Sequence, residues 1–294
     1  MKDMDVRSFF IALRPTHWVK NTLIFLPLIF GKKLFSYPEN FNALITFILF
    51  SAIASSVYLI NDAIDAEKDK FHPTKRLRPI ASGKIQKRAA FIFSILLGTI
   101  SLFMSFQLSE KLGIIMLVYL MFNLLYSKLL KNIVIIDVFC LSGFFLVRIF
   151  SGAVVARVIP SYWIILMTTL LALFLGFNKR RQEIQLLRYK AEIHRAVLRK
   201  YNLYFIDQMI SVTTSSIVVA YMLYAIGEHT VMGFEASKLI WTVPFVYYGI
   251  FRYLYIIHKI KREDDPTRIL LTDRMIQLDI FLWILTCVWL IYVR

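Results

Sequence analysis

Residues 58–83 read YLINDAIDAEKDKFHPTKRLRPIASG, and this stretch changes from apolar to strongly charged within a few positions. Asn61, Asp65 and Asp69 recur every four residues, so a helix would place all three on one face. Asp62 would lie about 100° around that helix from Asn61. A row of carboxylates beside an apolar run is costly unless a cation binds there. The stretch therefore predicts a cation-binding helix at the edge of a membrane.

The chemistry of this face indicates which cation it would bind. Mg²⁺ prefers hard oxygen ligands and typically takes one or two protein carboxylates together with phosphate oxygens of a substrate. Asn61, Asp65 and Asp69, with Asp62 beside them, would supply such oxygen ligands one helical turn apart. The stretch is thus typical of a site where the metal ion holds a phosphorylated ligand.

A cationic cluster of Lys75, Arg76 and Arg78 follows these carboxylates directly. Such side chains can bind the phosphate oxygens that a metal ion leaves uncovered. The alternative is an ordinary solvated loop of mixed charge. The acidic and basic residues are, however, separated into two blocks rather than interspersed, which favours a binding site.

The rest of the chain is typical of a polytopic membrane protein. It has 294 residues, 58% of them hydrophobic, and several apolar runs exceed the roughly 18 residues that indicate a membrane span. Helices are the expected spanning form because each satisfies its own backbone hydrogen bonds. We therefore predict an all-α fold, a single integral membrane domain over residues 1–294. The nine predicted spans are 22–37, 41–60, 89–108, 112–127, 133–155, 160–178, 207–227, 238–257 and 275–293.

The distribution of charge predicts the orientation of the chain. The net charge of +16 could indicate nucleic-acid binding, but the charges lie in short loops between spans, which excludes it. One side of the membrane carries 27 of the 35 lysines and arginines. These residues lie at the N-terminus and in the loops around 61–88, 128–132, 179–206 and 258–274. The positive-inside rule places that side in the cytoplasm. We therefore predict a bacterial-type inner (cell) membrane protein, multi-pass, with its site facing the cytoplasm.

Further candidate phosphate ligands lie at the ends of predicted spans. Lys20 belongs to the motif RPTHWVKN at residues 14–21, where it could reach an anion at the interface. An interfacial anchor is the alternative function of that motif, with Trp18 at headgroup depth. Tyr126 and Lys128 end another span, although snorkelling would explain the lysine equally well.

Two more groups combine charge with an apolar setting. Asp137 and Arg148 lie within one predicted span, about three turns apart on nearly the same helix face. Ionisable residues inside a membrane are functional candidates, and a structural ion pair is the alternative. Lys179 and Arg180 open the second charged loop, where they could bind a phosphate without a metal. They could also serve only as a topology signal.

Together these motifs resemble a known family. The segment NDAIDAEKD resembles the first aspartate-rich motif of the UbiA-type intramembrane prenyltransferase superfamily, whose members have nine transmembrane helices. The closer resemblance, over nearly the whole chain, is to the decaprenyl-phosphate phosphoribosyltransferases. It rests on WVKN, HPTKRLRPIASG, NLLYSK, KRRQE, HRAVLRKY and TVPFVYYGIFRYLY. The chain departs from the general superfamily pattern because Lys179–Glu183 stands where a second DxxxD motif is expected.

The resemblance implies a reaction and its partners. A polyprenyl (decaprenyl-type) phosphate would attack C1 of 5-phosphoribosyl 1-diphosphate (PRPP). The products would be polyprenyl-phosphoryl-5-phosphoribose and diphosphate, in relatives a precursor step for arabinofuranose-containing cell-wall glycans. The implied cofactor is Mg²⁺, and the implied partners are PRPP, the polyprenyl phosphate and bilayer lipids. Whether copies of the chain form a homo-oligomer stays open.

The resemblance also implies roles for individual residues. The catalytic, diphosphate-holding group would be Asn61, Asp62, Asp65 and Asp69, with Mg²⁺ on Asn61 and Asp65. The residues contacting PRPP would be Lys20, Tyr58, Lys75 and Arg78. Either the acceptor phosphate or the ribose 5-phosphate would be held by Tyr126, Lys128, Arg148, Lys179 and Arg180. Two alternatives remain: prenyl transfer from a prenyl diphosphate to an aromatic acceptor, and a transporter that uses Asp137 and Arg148.

Overall fold

The computed structural model describes residues 6–71, 75–187, 196–227, 236–260 and 266–293, and every regular element in them is helical. This confirms the predicted all-α membrane fold. The α-helices are α1 (Val6–Ala12), α2 (Leu26–Phe30), α3 (Glu39–Asp69), α4 (Lys87–Leu108), α5 (Glu110–Lys128), α6 (Ile136–Ala156), α7 (Tyr162–Leu187), α8 (Leu203–Ile226), α9 (Val243–Tyr255), α10 (Pro266–Thr272) and α11 (Arg274–Tyr292). The 3₁₀ helices are Pro15–Phe25, Lys75–Leu77, Leu130–Asn132, Ala196–Lys200 and Ala236–Thr242, and a π-helical turn spans Ile256–Ile260.

Eight helices in the described part of the chain are long and apolar enough to cross a membrane, so the predicted count of nine is approximate. They are Glu39–Asp69, Lys87–Leu108, Glu110–Lys128, Ile136–Ala156, Tyr162–Gln185, Leu203–Ile226, Leu239–His258 and Arg274–Tyr292. The difference lies at the first predicted span, 22–37. Here the 3₁₀ helix Pro15–Phe25 leads into the short α2, and the helix ends before Lys32, whose φ of 55° is left-handed. An L-residue in that conformation cannot continue a right-handed helix.

Helix α3 is longer than a membrane requires, and this positions the charged stretch. Its 31 residues correspond to about 46 Å at 1.5 Å per residue. The hydrocarbon core of a bilayer is about 30 Å thick. About twenty residues suffice to cross it, so the turns from Asn61 to Asp69 continue α3 beyond the apolar region. Polar side chains can there meet water-borne ligands.

The chain forms two compact units. The first unit comprises Met1–Leu28, Lys33–Lys131 and Val147–Val158, and the second comprises Ile29–Lys32, Asn132–Leu146 and Ile159–Arg294. Helix α6 contributes to both, because its N-terminal half belongs to the second unit and its C-terminal half to the first.

In the first unit, α3 packs against α4, α5 and the 3₁₀ helix Pro15–Phe25. Small residues allow α3 and α4 to approach closely, as is common between membrane helices. The Ser94 hydroxyl of α4 donates to the carbonyl of Ser56 at 2.8 Å. A Cβ at Gly98 would lie 3.0 Å from the Ser56 hydroxyl oxygen. Helix α3 is therefore held against α4 at Ser56, just before the charged stretch begins.

The 3₁₀ helix lies along α3 through two side-chain hydrogen bonds. Trp18 Nε1 donates to Ser55 Oγ at 3.0 Å, and Asn21 Nδ2 donates to Ser51 Oγ at 2.9 Å. Its fully buried Ile24 faces α6, where a Cβ at Gly152 would collide with the Ile24 carbonyl oxygen. Glycine at position 152 is therefore required by this close approach.

In the second unit, α7 packs against α8, and α9 packs against α11. The core includes Val138, Phe174 and Tyr253, and the Phe174 and Tyr253 ring centroids are 5.3 Å apart. Arg252 Nη2 donates to Asp273 Oδ2 at 2.9 Å, while Asp273 Oδ1 accepts from the Ile276 N–H and so caps α11. These contacts order the helices of the second unit around one apolar cluster.

Candidate active site

Two arginines converge on one buried carboxylate at the end of α3. Arg14 Nη2 donates to Asp62 Oδ1 at 2.5 Å, and Arg78 Nη1 donates to the same oxygen at 2.9 Å. Arg78 Nη1 also donates to Asp69 Oδ2 at 2.6 Å. The Asp62 side chain is 4% exposed. The guanidinium of Arg14 lies 4.9 Å above the centroid of the Tyr58 ring, so Tyr58 and Asp62 together fix its orientation.

Local structure brings both arginines to this position. Arg14 lies between α1 and the 3₁₀ helix Pro15–Phe25 with a left-handed φ of 55°, which turns the chain back along α3. Arg78 directly follows the short 3₁₀ turn Lys75–Leu77. Burial lowers the pKa of the Arg78 guanidinium from its ordinary value, and the nearby charge of Arg14 lowers it further, while Asp62 and Asp69 act in the opposite direction. Arginine nevertheless stays charged at neutral pH.

Asn61 and Asp65 carry side-chain oxygens that neither arginine binds and that remain available to a metal ion. Asn61 Oδ1 accepts a long hydrogen bond, 3.3 Å, from Ser127 Oγ of α5. Asp65 is half-buried and makes no hydrogen bond or ion pair with another described residue. Among the residues that the structure describes, no group of three or more His, Cys, Asp or Glu could hold a metal. Two protein oxygens still fit Mg²⁺, which completes its shell with substrate phosphates and water.

Three further candidates, Lys75, Tyr126 and Lys128, belong to segments that contact this cluster. Lys75 is half-buried, and its charge acts on the Asp69 carboxylate. Tyr126 is half-buried and Lys128 is exposed at the end of α5, on either side of Ser127. Lys20 is half-buried on the 3₁₀ helix. The structure therefore brings several predicted site residues together around the end of α3, namely Tyr58, Asn61, Asp62, Asp65, Asp69, Lys75 and Arg78.

Arg148 lies elsewhere in the first unit, in a buried aromatic setting. It is 3% exposed, and its Nε donates to Asn21 Oδ1 at 2.7 Å. Its Cζ lies 4.7 Å from the Phe50 ring centroid and 5.6 Å from that of Tyr119. Aromatic faces attract a desolvated guanidinium. The cation of Arg148 is thus held in a fixed position inside the unit.

The second unit contains a buried ion-pair network. Arg180 Nε and Asp137 Oδ2 are 2.8 Å apart, with side chains 1% and 0% exposed, and Arg180 also binds Glu183. Tyr201 OH donates to Asp137 Oδ1 at 2.7 Å and accepts from the Ile135 N–H. Burial and the bond to Asp137 raise the pKa of the Tyr201 hydroxyl. The network ties the starts of α6 and α8 to the end of α7.

The position of Arg180 differs from the sequence-based expectation that it binds a phosphate. A guanidinium that is 1% exposed and serves two carboxylates presents no open face to a ligand. Its neighbour Lys179 is half-buried, and Arg181 pairs with Asp207 at 2.6 Å. Arg180 thus orders the end of α7, and Lys179 stays the predicted phosphate ligand of this loop.

Two residues without a role predicted from the sequence belong to these clusters. Arg14 begins the RPTHWVKN motif and Tyr201 ends HRAVLRKY, and neither motif indicates what its terminal residue contacts. Their partners Asp62 and Asp137 lie 48 and 64 residues away in the chain. A single sequence contains no signal for pairings at such separations.

Comparison with known proteins shows the family of the chain. The sequence model of the UbiA prenyltransferase family matches residues 24–285. The chain belongs to the UbiA prenyltransferase family. Within this family it is 31% identical, over 281 residues, to the decaprenyl-phosphate phosphoribosyltransferase of Mycobacterium tuberculosis, covering 94% of this chain and 91% of that protein. It is 32% identical to the enzyme of the same name from Mycolicibacterium smegmatis, covering 93% and 89%.

A solved structure of the same family supports the fold. The UbiA homolog from Archaeoglobus fulgidus bound to GPP and Mg²⁺ aligns with 97% of this chain and 100% of its own, with a TM-score of 0.72. The two sequences are 17% identical, so the likeness concerns the arrangement of the helices. This UbiA family member is therefore a multi-pass membrane protein with the helical architecture of its family.

Proposed function

We propose that this protein transfers 5-phosphoribose from PRPP to a decaprenyl-type polyprenyl phosphate. A phosphate oxygen of the lipid bonds to C1 of the ribose, and the bond from C1 to the diphosphate breaks. The products are polyprenyl-phosphoryl-5-phosphoribose and diphosphate. The observation that carries the proposal is the similarity, over nine-tenths of the chain, to decaprenyl-phosphate phosphoribosyltransferases.

The first unit supplies groups suited to the departing diphosphate. Asn61 and Asp65 would hold Mg²⁺, whose chemistry is to neutralise charge developing on the phosphate oxygens. Arg78, Lys75 and Lys20 would bind phosphate oxygens directly, because charge-assisted hydrogen bonds are strong and directional. Positioning and charge stabilisation suffice for this reaction, since a phosphate monoester carries nearly two negative charges at neutral pH and is already a competent nucleophile.

Further candidates would bind the remaining phosphates. PRPP and a lipid phosphate together present one diphosphate and two monophosphates, which requires cations beyond the metal. The residues proposed for either monophosphate are Tyr126, Lys128 and Lys179, whereas Arg148, which is nearly as buried as Arg180 and bonds to Asn21, would act indirectly by ordering the 3₁₀ helix that carries Lys20. Arg180 would act indirectly, by ordering the helix end that carries Lys179. The site would face the cytoplasm of a bacterial-type inner membrane, where water-soluble PRPP is present.

The test is product analysis with purified protein in lipid nanodiscs. One reaction contains radiolabelled PRPP, decaprenyl phosphate and Mg²⁺, and a second contains a prenyl diphosphate with an aromatic acid. We expect a phosphoribosylated lipid in the first, identified by mass spectrometry, with stoichiometric release of diphosphate. Product in the second reaction alone would assign prenyl transfer to an aromatic acceptor instead. Accumulation of unmodified substrate inside sealed vesicles would indicate a transporter.

A further inference from the structure

Asp62 is the carboxylate of the charged stretch whose geometry is least suited to a metal. Its Oδ1 already accepts hydrogen bonds from Arg14 and Arg78, at 2.5 and 2.9 Å. We propose that Asp62 is a positioning residue that holds these two arginines together. Their guanidinium groups then form a binding site for phosphate oxygens, the phosphate seat, which is separate from the proposed metal ligands Asn61 and Asp65. The identity of the natural ligand, the diphosphate group of PRPP, rests on the proposed function.

The donors of the two arginines support this role. Each guanidinium has five N–H donors. Arg14 uses Nη2 on Asp62, and Arg78 uses Nη1 on both Asp62 and Asp69. Nε and Nη1 of Arg14, and Nε and Nη2 of Arg78, make no hydrogen bond to another described residue. The two side chains are 20% and 28% exposed, so part of each guanidinium can reach a ligand.

The balance of charge favours an anion as that ligand. Arg14 and Arg78 lie close enough to repel each other, and Lys75 adds a third positive charge near Asp69. Asp62 and Asp69 are the carboxylates that contact the two arginines, whereas the third carboxylate of the cluster, Asp65, belongs to the proposed metal site. An arriving phosphate oxygen would relieve the repulsion, and in a partly buried site such attraction is stronger than in water. The Tyr58 ring beneath Arg14 limits the rotation of its guanidinium, so the donors are oriented in advance.

A metal-free binding measurement tests the seat directly. The full-length protein in detergent is titrated with inorganic diphosphate in the presence of EDTA, and binding is followed by calorimetry. We expect Asp62→Asn and Arg14→Gln each to weaken binding about tenfold or more, with partial recovery in Arg14→Lys. The matched control is Glu67→Gln, because Glu67 of the same helix also pairs with two cations, Lys70 at 2.8 Å and Lys87 at 2.7 Å, but is 63% exposed. This control should bind diphosphate like the unmodified protein.

Steady-state kinetics separates positioning from metal binding. For Asp62→Asn we expect the KM for PRPP to rise about tenfold while the Mg²⁺ concentration for half-maximal rate stays unchanged. A shifted Mg²⁺ requirement would make Asp62 a metal ligand and overturn the proposal, as would unaltered diphosphate binding in both Asp62→Asn and Arg14→Gln. If Asp62→Asn fails to fold, Arg14→Gln decides alone. If the protein does not use PRPP, the proposed function fails, but the metal-free titration still decides whether the seat exists.

Discussion

Replacing Asp137 with asparagine tests the buried network of the second unit. Asparagine keeps the shape and can still accept from Tyr201, so the loss concentrates on the ion pair with Arg180, whose atoms are 2.8 Å apart. Breaking a buried pair by removing one partner costs about 3–5 kcal/mol, because the other charge is left uncompensated. Glu183 still binds Arg180, so we expect the lower end. A loss of about 3 kcal/mol reduces the ratio of folded to unfolded protein roughly a hundredfold.

The assay is equilibrium unfolding of the purified protein in mixed micelles of increasing denaturing detergent. Asp207→Asn is the matched control, since it removes the same charge from a pair with Arg181 whose atoms are 2.6 Å apart but whose carboxylate is 43% exposed. Exposed pairs contribute at most about 1 kcal/mol. If both variants lost the same stability, the buried network would not be what stabilises the end of α7, and the structural role given to Arg180 would be wrong.

Three further predictions concern the first unit. Asp65→Asn should lower turnover about a hundredfold or more without reducing expression; unmodified activity at saturating Mg²⁺ would contradict the metal assignment. A cysteine at Lys84 should be labelled only by membrane-permeant reagents and one at Tyr37 also by impermeant ones, since the native cysteines are buried; the reverse pattern would invert the topology. Gly152→Ala should destabilise the protein by about 1–3 kcal/mol in the same unfolding assay, because its Cβ would collide with the Ile24 carbonyl; an unchanged midpoint would refute this close contact.

The fold could be predicted largely from the sequence because each membrane span is one continuous apolar run of the chain. Each of the eight long helices corresponds to an apolar run that is long enough to cross a bilayer. The charged stretch could likewise be predicted as a site, since Asn61, Asp65 and the nearby cations lie within one short segment. The first span, 22–37, was the exception, because its helix ends at Phe30, before the left-handed Lys32, although the surrounding residues are apolar.

The partners of the charged residues could not be predicted in the same way. Asp137 and Arg148 lie on one helix, yet Asp137 binds Arg180 and Arg148 binds Asn21, 127 residues away. The sequence predicts an accessible cation at Arg180, because this residue stands between Lys179 and Arg181. Its burial depends on which face of α7 meets α6, and helix packing decides that. The charged residues of the sequence therefore indicate which segments carry sites. Tertiary contacts determine which of the cations remain available to a ligand.

The 3₁₀ helix Pro15–Phe25 has a consequence for how two unlike helices can run side by side. Three residues of a 3₁₀ helix advance about 6 Å, and four residues of an α-helix advance the same distance. Trp18 and Asn21, one 3₁₀ turn apart, can therefore meet Ser55 and Ser51, four residues apart on α3, without strain. In α-helical form the same two residues would be separated by only about 4.5 Å along the axis, and the two spacings would no longer match. The equal axial spacing keeps the segment that carries Lys20 aligned with the helix that carries Asp65.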